Sequence, residues 1–445
     1  MAALRVLDEH RLSCRVVEAR NRIGGRIYTV RDPRLAHPIE LGAEFIHGSA
    51  PEVVDLAREA RLVAYAIEGQ RWRARGGRLT HIDDFWQRMH VVMRSLKPTG
   101  PDRSFSEFLK KAPGGRGAHE ARKLALEFVE GFHGADARLI STHALADGGS
   151  LSEDPEEQRI MRLADGYDRL VDRLARGLTD RIRTGSVVER LDWQRGRVEL
   201  TVRQNGAPSA TTIAARAAIV TIPLGVLLAP AGEHGTIRFS PELPLVEDAR
   251  RRLTMGAVAR VVVLFRERWW TKPSRAAPRG ASLDALSFLH GDSEDFPVWW
   301  SLHPAHLPAM VGWAGGPNAL RAAGRSVDEI RDRALGSLAA NLGVSRRKVA
   351  SQVDDFWTHD WQQDPFSRGA YSYSLVGGAD GSKRLANSVE GTIWIAGEAA
   401  DAEGRNGTVH GAIGSGRRAA QSAARVLTRR KTLYPTFHSA LKSRQ

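Results

Sequence analysis

The sequence runs to 445 residues, 42% of them hydrophobic, and carries a formal charge of +14 from 65 basic and 51 acidic side chains. A chain of this length can bury a sizeable core and is more comfortable as two interleaved domains than as one. No run approaches the roughly 18 uninterrupted apolar residues of a membrane-spanning helix, and a single cysteine, Cys14, excludes an internal disulfide and a cysteine-based zinc cluster.

These features point to a cytoplasmic chain. The first ten residues have helical spacing, with Leu4 and Leu7 apolar ahead of Asp8, Glu9 and His10. A short strand follows through Cys14, Val16 and Val17 to Glu18, and then a polar turn with glycines runs from Arg20 to Arg26. This is the second half of a β-α-β unit. In a dinucleotide-binding fold a first strand and a glycine-rich loop precede such a helix; neither is in the sequence as given, and the expected start lies roughly 20 to 30 codons upstream.

Residues 51–130 show a helical pattern of mixed charge, expected of an inserted domain. Residues 166–178 have an amphipathic helical period, and strands are expected over 182–202. A buried strand over 215–222 stops at Pro223, and 260–265 and 309–313 supply further apolar runs, followed by a helix over 327–342. Residues 392–396 form an apolar strand running into Gly397 and Glu398, and 411–427 a helix rich in small residues. Basic clusters at 250–252, 346–348 and 429–431 are scattered and lack interleaved aromatics. The charge therefore reads as a solvated, arginine-rich surface, and no nucleic-acid partner is expected.

Chemistry concentrates in six strings. Glu18 ends a strand, where a carboxylate can accept hydrogen bonds from the hydroxyls of a ribose. The string E-A-R-N-R-I-G-G-R, residues 18–26, sets two glycines where backbone approaches something closely and adds an arginine able to pair with a pyrophosphate. W-I-A-G-E at 394–398 precedes G-T-V-H-G-A-I-G-S-G-R-R-A-A at 407–420, where a helix start offers free amides and a positive dipole end. L-G-A-E-F-I-H-G at 41–48, T-I-P-L-G-V-L at 221–227 and D-P-F-S-R-G-A-Y-S at 364–372 complete the set. Signatures of a serine-hydrolase elbow, a zinc protease or a phosphate loop are absent, and no metal is expected.

Taken in chain order, the strings resemble the flavin-dependent amine oxidase family, which includes monoamine oxidases, polyamine oxidases and flavin-dependent histone demethylases. The resemblance implies an α/β fold. Its Rossmann-like FAD-binding domain, with first strand and glycine loop missing, is interleaved with an α+β substrate-binding domain. Residues 1–60, 160–240 and 365–430 are assigned to the first domain, 61–159 and 241–364 to the second, and 431–445 to a basic tail. It also implies that Glu18 binds the adenosine ribose, that Gly24, Gly25 and Arg26 face the pyrophosphate with Arg20 also on the cofactor, and that Val188 meets adenine through its backbone. Gly42 and Ala43 would line the flavin, Glu398 would reach the phosphate and ribityl region, and Thr408 and Val409 would offer backbone near the ring system. Trp361 and Tyr371 would be aromatic walls.

Three departures qualify the resemblance. Ala370 stands where monoamine oxidases carry the cysteine that links to flavin, which implies FAD held non-covalently. Thr408 occupies the second wall of their aromatic cage, leaving Tyr371 as half a cage, closer to the polyamine oxidase and histone demethylase branch. Arg260 stands where the family usually has a lysine bonded through water to the flavin; arginine stays protonated and cannot act as a base. The alternative to this reading is a strand residue shifted off the flavin by one position. His47 either faces the substrate or holds loop backbone in place, and His410 reads as structural.

The expected reaction is oxidation of a carbon–nitrogen bond. A primary amine, polyamine or amino acid loses hydride to FAD, the imine hydrolyses, and oxygen or another acceptor reoxidises the flavin. The alternatives are a desaturase or porphyrinogen oxidase-like enzyme, and a catalytically dead scaffold that keeps the fold to bind a partner. The oligomeric state is not legible.

Overall fold

The computed structural model describes residues 1–82, 85–111, 118–147, 154, 156–272 and 276–433. Its largest sheet has seven strands in the order Val353–Thr358, Val258–Phe265, Ala309–Gly315, Val298–Ser301, Leu286–His290, Gln70–Arg75 and Arg78–His81. Neighbours run antiparallel except Leu286–His290 and Gln70–Arg75, which are parallel. Every residue of Val258–Phe265 is buried, as expected of a central strand covered on both faces.

One face of this sheet carries Trp72, Val261, Val263, Phe265, Leu289, Trp299 and Met310, in one core with Leu335 and Leu338 of the Val327–Asn341 helix. That helix begins with a capping box, in which the Ser326 hydroxyl accepts from the Glu329 N–H while the Glu329 carboxylate accepts from the Ser326 N–H. The opposite face carries Val262, Trp300 and Val311, with Phe288 and Trp313 partly buried, against Ile39, Leu41 and Phe45.

The hairpin Gln70–Arg75/Arg78–His81 corrects the helical reading of residues 51–130. Trp72, Ala74 and Leu79 enter the core with period two, while Arg75, Arg78 and Thr80 are exposed and Arg73 is buried in an ion pair with Glu127. The long polar arginine side chains mask that alternation in the sequence. Helices Phe85–Met93, Phe105–Lys111 and Ala118–Phe132 fill much of the remainder as expected.

Parallel strands elsewhere bring the motifs together. Val16–Val17 pairs with Ile182–Arg183, and Ala218–Val220 pairs with Ile393–Ile395. The expected strand at 215–222 is thus shorter, with Thr211–Ala215 instead joining the antiparallel ladder of Ser186–Gln194 and Arg197–Gln204. The helix Val409–Leu433 packs Ala419 and Ala423 against Trp394 and Ala396. Residues 434–445 of the expected basic tail lie outside the described residues. No helix among the described residues is long and apolar enough to cross a membrane, and no described group of residues could hold a metal ion.

Candidate active site

Glu18 stands at the end of its strand, where its N–H and carbonyl bond Arg183 and Ser186, and its carboxylate accepts the Arg20 N–H at 2.8 Å. Burial pushes the Glu18 carboxyl above its ordinary value against the pull of that N–H. The strand beginning at Ser186 places Val188, half-buried and opposite Val202, near the same end. The Arg20 guanidinium makes a bidentate pair with Asp364, at 2.8 Å twice, and reaches Ser367 Oγ.

Gly24 and Gly25 take φ of 104° and 60°, the left-handed region that favours glycine. After this turn the chain lies against the 41–43 segment, with Leu41 and Ala43 donating to the carbonyls of Tyr28 and Arg26. Gly42 sits so close that a Cβ there would lie 1.9 Å from the Arg26 carbonyl. Only glycine fits.

Glu398 is the polar centre of this region. Its buried carboxylate accepts from Arg26 Nη1 at 2.9 Å, from the Ser372 hydroxyl at 2.6 Å and from the Gly407 N–H at 3.0 Å. Arg26 also donates to the Ala370 carbonyl. Thr408 caps the Val409–Leu433 helix by accepting the Gly411 N–H, which positions Val409 at its first turn. A Cβ on Gly407 would lie 3.2 Å from Tyr371 Cδ2 and one on Gly134 3.3 Å from its Cε2. The Tyr371 ring thus packs close against two glycines.

Around Tyr371 the sheet presents a floor of aromatic rings. Phe45 lies 5.3 Å from Trp300 and 6.2 Å from Phe288, Trp300 lies 5.8 Å from Trp313, and His47 lies 4.9 Å from Phe132 and 5.8 Å from Phe45. Phe45, His47, Phe288, Trp313 and Tyr371 are only half-buried, although they stand on the face turned toward the motif segments. The helix Ala118–Phe132 ends here, and its last carbonyls are met by side chains: Trp313 Nε1 donates to Gly131 and the Tyr371 hydroxyl to Phe132. Burial, with His410 nearby, pushes the His47 imidazole down to about 4, so it is neutral at physiological pH. Trp361 is buried, edge-on to His359, with its indole N–H on the Leu41 carbonyl.

Arg260 is committed to a buried partner that the sequence did not suggest. Glu44 accepts from Arg260 Nη2 through one oxygen and from Arg162 Nε at 2.5 Å and Trp300 Nε1 at 3.3 Å through the other. Arg260 also donates to the Gly42 carbonyl at 3.3 Å. Burial acts to raise the Glu44 carboxyl, but the two arginines outweigh it and hold it below its ordinary range. Glu44 and Phe45 lie in the 41–48 string but nothing in it names their partners, and Arg162, Phe288, Trp300 and Trp313 lie in no motif, so only proximity in the fold reveals the cluster and its floor.

This architecture matches known proteins along its length. A family profile described as flavin-containing amine oxidoreductase covers residues 1–424. The chain belongs to that family. Polyamine oxidase 4 of Oryza sativa subsp. japonica is 28% identical over 97% of this chain and 88% of its own length. Lysine-specific histone demethylase 1 homolog 2 of Arabidopsis thaliana is 27% identical over 96% of this chain and 57% of its own length. Among solved structures, cyclohexylamine oxidase from Brevibacterium oxydans IH-35A aligns with a TM-score of 0.75 at 20% identity, covering 96% of each chain. Putrescine oxidase bound to putrescine aligns with the same score, identity and coverage. Membership makes this chain an amine oxidase with a flavin cofactor, in the mixed α/β fold of that family.

Proposed function

We propose that this enzyme oxidises the carbon–nitrogen bond of an amine with FAD held non-covalently. The observation that carries this reading is the convergence at Glu398, where Arg26, Ser372 and Gly407, from three separate motifs, meet on one buried carboxylate. Two further features fit a phosphate-bearing flavin. Gly25 and Gly397 have left-handed φ and nothing within 4 Å of an added Cβ, leaving backbone open to a ligand. Arg26 brings a half-buried guanidinium to the same place.

When bound, the flavin supplies the two-electron acceptor for hydride from the amine carbon. The chain's residues bind, orient and keep the pocket apolar. Gly42, Ala43, Thr408 and Val409 present backbone, and Tyr371, fixed by Gly134, Gly407 and the Phe132 carbonyl, gives one wall. Trp361 supports the 41–43 segment from behind. Neutral His47 can accept an amine N–H without competing for its proton. Arg260, tied to Glu44, lends charge and order but no base.

The same reading keeps 1–60, 160–240 and 365–430 as one domain and 61–159 and 241–364 as the other. The parallel pairs Val16–Val17/Ile182–Arg183 and Ala218–Val220/Ile393–Ile395 fall in the first set, and all seven strands of the large sheet, with their one parallel pair, fall in the second. It takes oxygen as the acceptor and the cytoplasm as the location, in keeping with the single cysteine.

The test is direct. Purified protein should be yellow, release FAD on denaturation, and bleach anaerobically with an amine. Bound flavin that no amine bleaches would overturn the reading, and flavin that stays with the denatured chain would overturn non-covalent attachment.

A further inference from the structure

The buried cluster under the aromatic floor has a sign. Glu44 is one carboxylate between two guanidiniums, and all three side chains are at most 4% exposed. Both carboxylate oxygens are taken. Each arginine also backs a ring of the floor, with Arg162 Cζ 5.0 Å from the Phe45 centroid and Arg260 Cζ 5.5 Å from that of Trp300. A ring that already faces a cation offers a weaker negative face to a second one.

Nothing beside the cluster reverses that sign. A cavity of about 20 Å³ adjoins it, lined among others by Glu40, Glu44, Arg162 and Arg260, with room for one water and not for a substrate. Arg260 Nε is buried and meets no protein acceptor, which suits a donor to such a water. Across the cavity Glu40 already accepts the Tyr167 N–H and the Thr29 hydroxyl. Burial pushes its carboxyl up to about 7, so the cluster keeps a net positive charge at and below neutrality.

We propose that the Arg162–Glu44–Arg260 cluster sets substrate specificity, selecting amines with an apolar tail and rejecting diamines and polyamines, whose second ammonium must lie along the floor. The proposal rests on the amine oxidase reading and sharpens its substrate class. It sets this chain apart from relatives and neighbours named for polyamines and putrescine.

Butylamine and putrescine have the same carbon count and differ by one ammonium, so their comparison isolates the second charge. With FAD-loaded enzyme, kcat/KM and the rate of anaerobic flavin bleaching are measured for butylamine, 2-phenylethylamine, putrescine and spermidine. Both monoamines should exceed putrescine at least about tenfold, the scale of one charge–charge interaction in a medium of effective dielectric about 20. Arg162→Gln leaves a neutral Arg260–Glu44 pair and should shrink the butylamine-to-putrescine ratio severalfold, whereas Arg162→Lys should retain it. Should Arg162→Gln fail to fold, binding of the two amines to wild-type enzyme from pH 6 to 9 serves instead. The discrimination should fall as Glu40 ionises through about 7 and cancels the cluster's net charge, since both amines stay protonated over this range. Putrescine or spermidine equal to the monoamines, or a ratio indifferent to Arg162→Gln or to pH, overturns the proposal alone. Loaded flavin that no amine bleaches overturns the amine oxidase reading and this proposal together.

Discussion

Arg20 and Asp364 meet as a bidentate ion pair across 344 residues of sequence, fastening the glycine turn of one motif to the start of another. His359 Nε2 shares the same carboxylate at 2.8 Å. Although burial acts to raise it, His359 and Arg20 hold the Asp364 carboxyl well below the usual range. Its contribution to stability is therefore complete above the unfolded value near 4 and is lost as pH falls through the folded one. Asp364→Asn should cost about 3–5 kcal/mol at pH 7 and should lose less stability than wild type between pH 4 and 2.5. Urea midpoints across that range check it, and an unchanged acid limb in the variant would count against the network.

Glu40 predicts the opposite slope. Its folded carboxyl sits at about 7, above the ordinary value of 4.5, so the folded state binds the proton more tightly. That advantage is full below the unfolded value and disappears as pH rises through about 7, a loss of about 3 kcal/mol. Glu40→Gln, which resembles the protonated form, should flatten the decline between pH 5 and 8. A variant that keeps the wild-type slope would place its origin elsewhere.

Two glycines should respond differently to alanine. At Gly42 the new Cβ would lie 1.9 Å from the Arg26 carbonyl, so backbone must move, and a loss of several kcal/mol with failure to retain flavin is expected. At Gly25 the Cβ meets nothing within 4 Å and the cost is the strain of φ 60° alone, about 1–2 kcal/mol. Thermal melts and the flavin-to-protein absorbance ratio of both variants distinguish these outcomes. Equal effects would mean the tight packing at Gly42 does not hold in solution.

Glu398→Gln removes the charge on which Arg26, Ser372 and Gly407 converge. Losing charge-assisted bonds of about 1.5–3 kcal/mol should weaken flavin retention roughly ten- to a hundredfold. Ultrafiltration of the loaded protein reads this directly. Full retention would remove Glu398 from the cofactor's support.

Local chemistry made much of this structure legible. The Ser326–Glu329 box marks a helix start in four residues, and the glycine pair at 24–25 marks its turn. The unforeseen parts are those without local signal. Glu44 finds Arg162 at a separation of 118 residues and Arg260 at 216, and a lone glutamate in a G-A-E-F string says nothing of either. The same holds for Phe288 and Trp300, ordinary strand residues until the sheet register sets them side by side, and for Phe45, which a loop brings onto both. The hairpin at 70–81 was hidden for another reason: its arginines supply the polar half of a strand's alternation in a form that resembles a charged helix.

The end of the Ala118–Phe132 helix is held by two donors from distant segments, Trp313 in the large sheet and Tyr371 beside Gly407. Helix ends ordinarily fray independently, since their final carbonyls answer to water. This one cannot open without releasing an aromatic wall as well. Amide exchange should then report a single cooperative unit, in which the last turn of the helix, the Trp313 strand and the Tyr371 loop lose protection together.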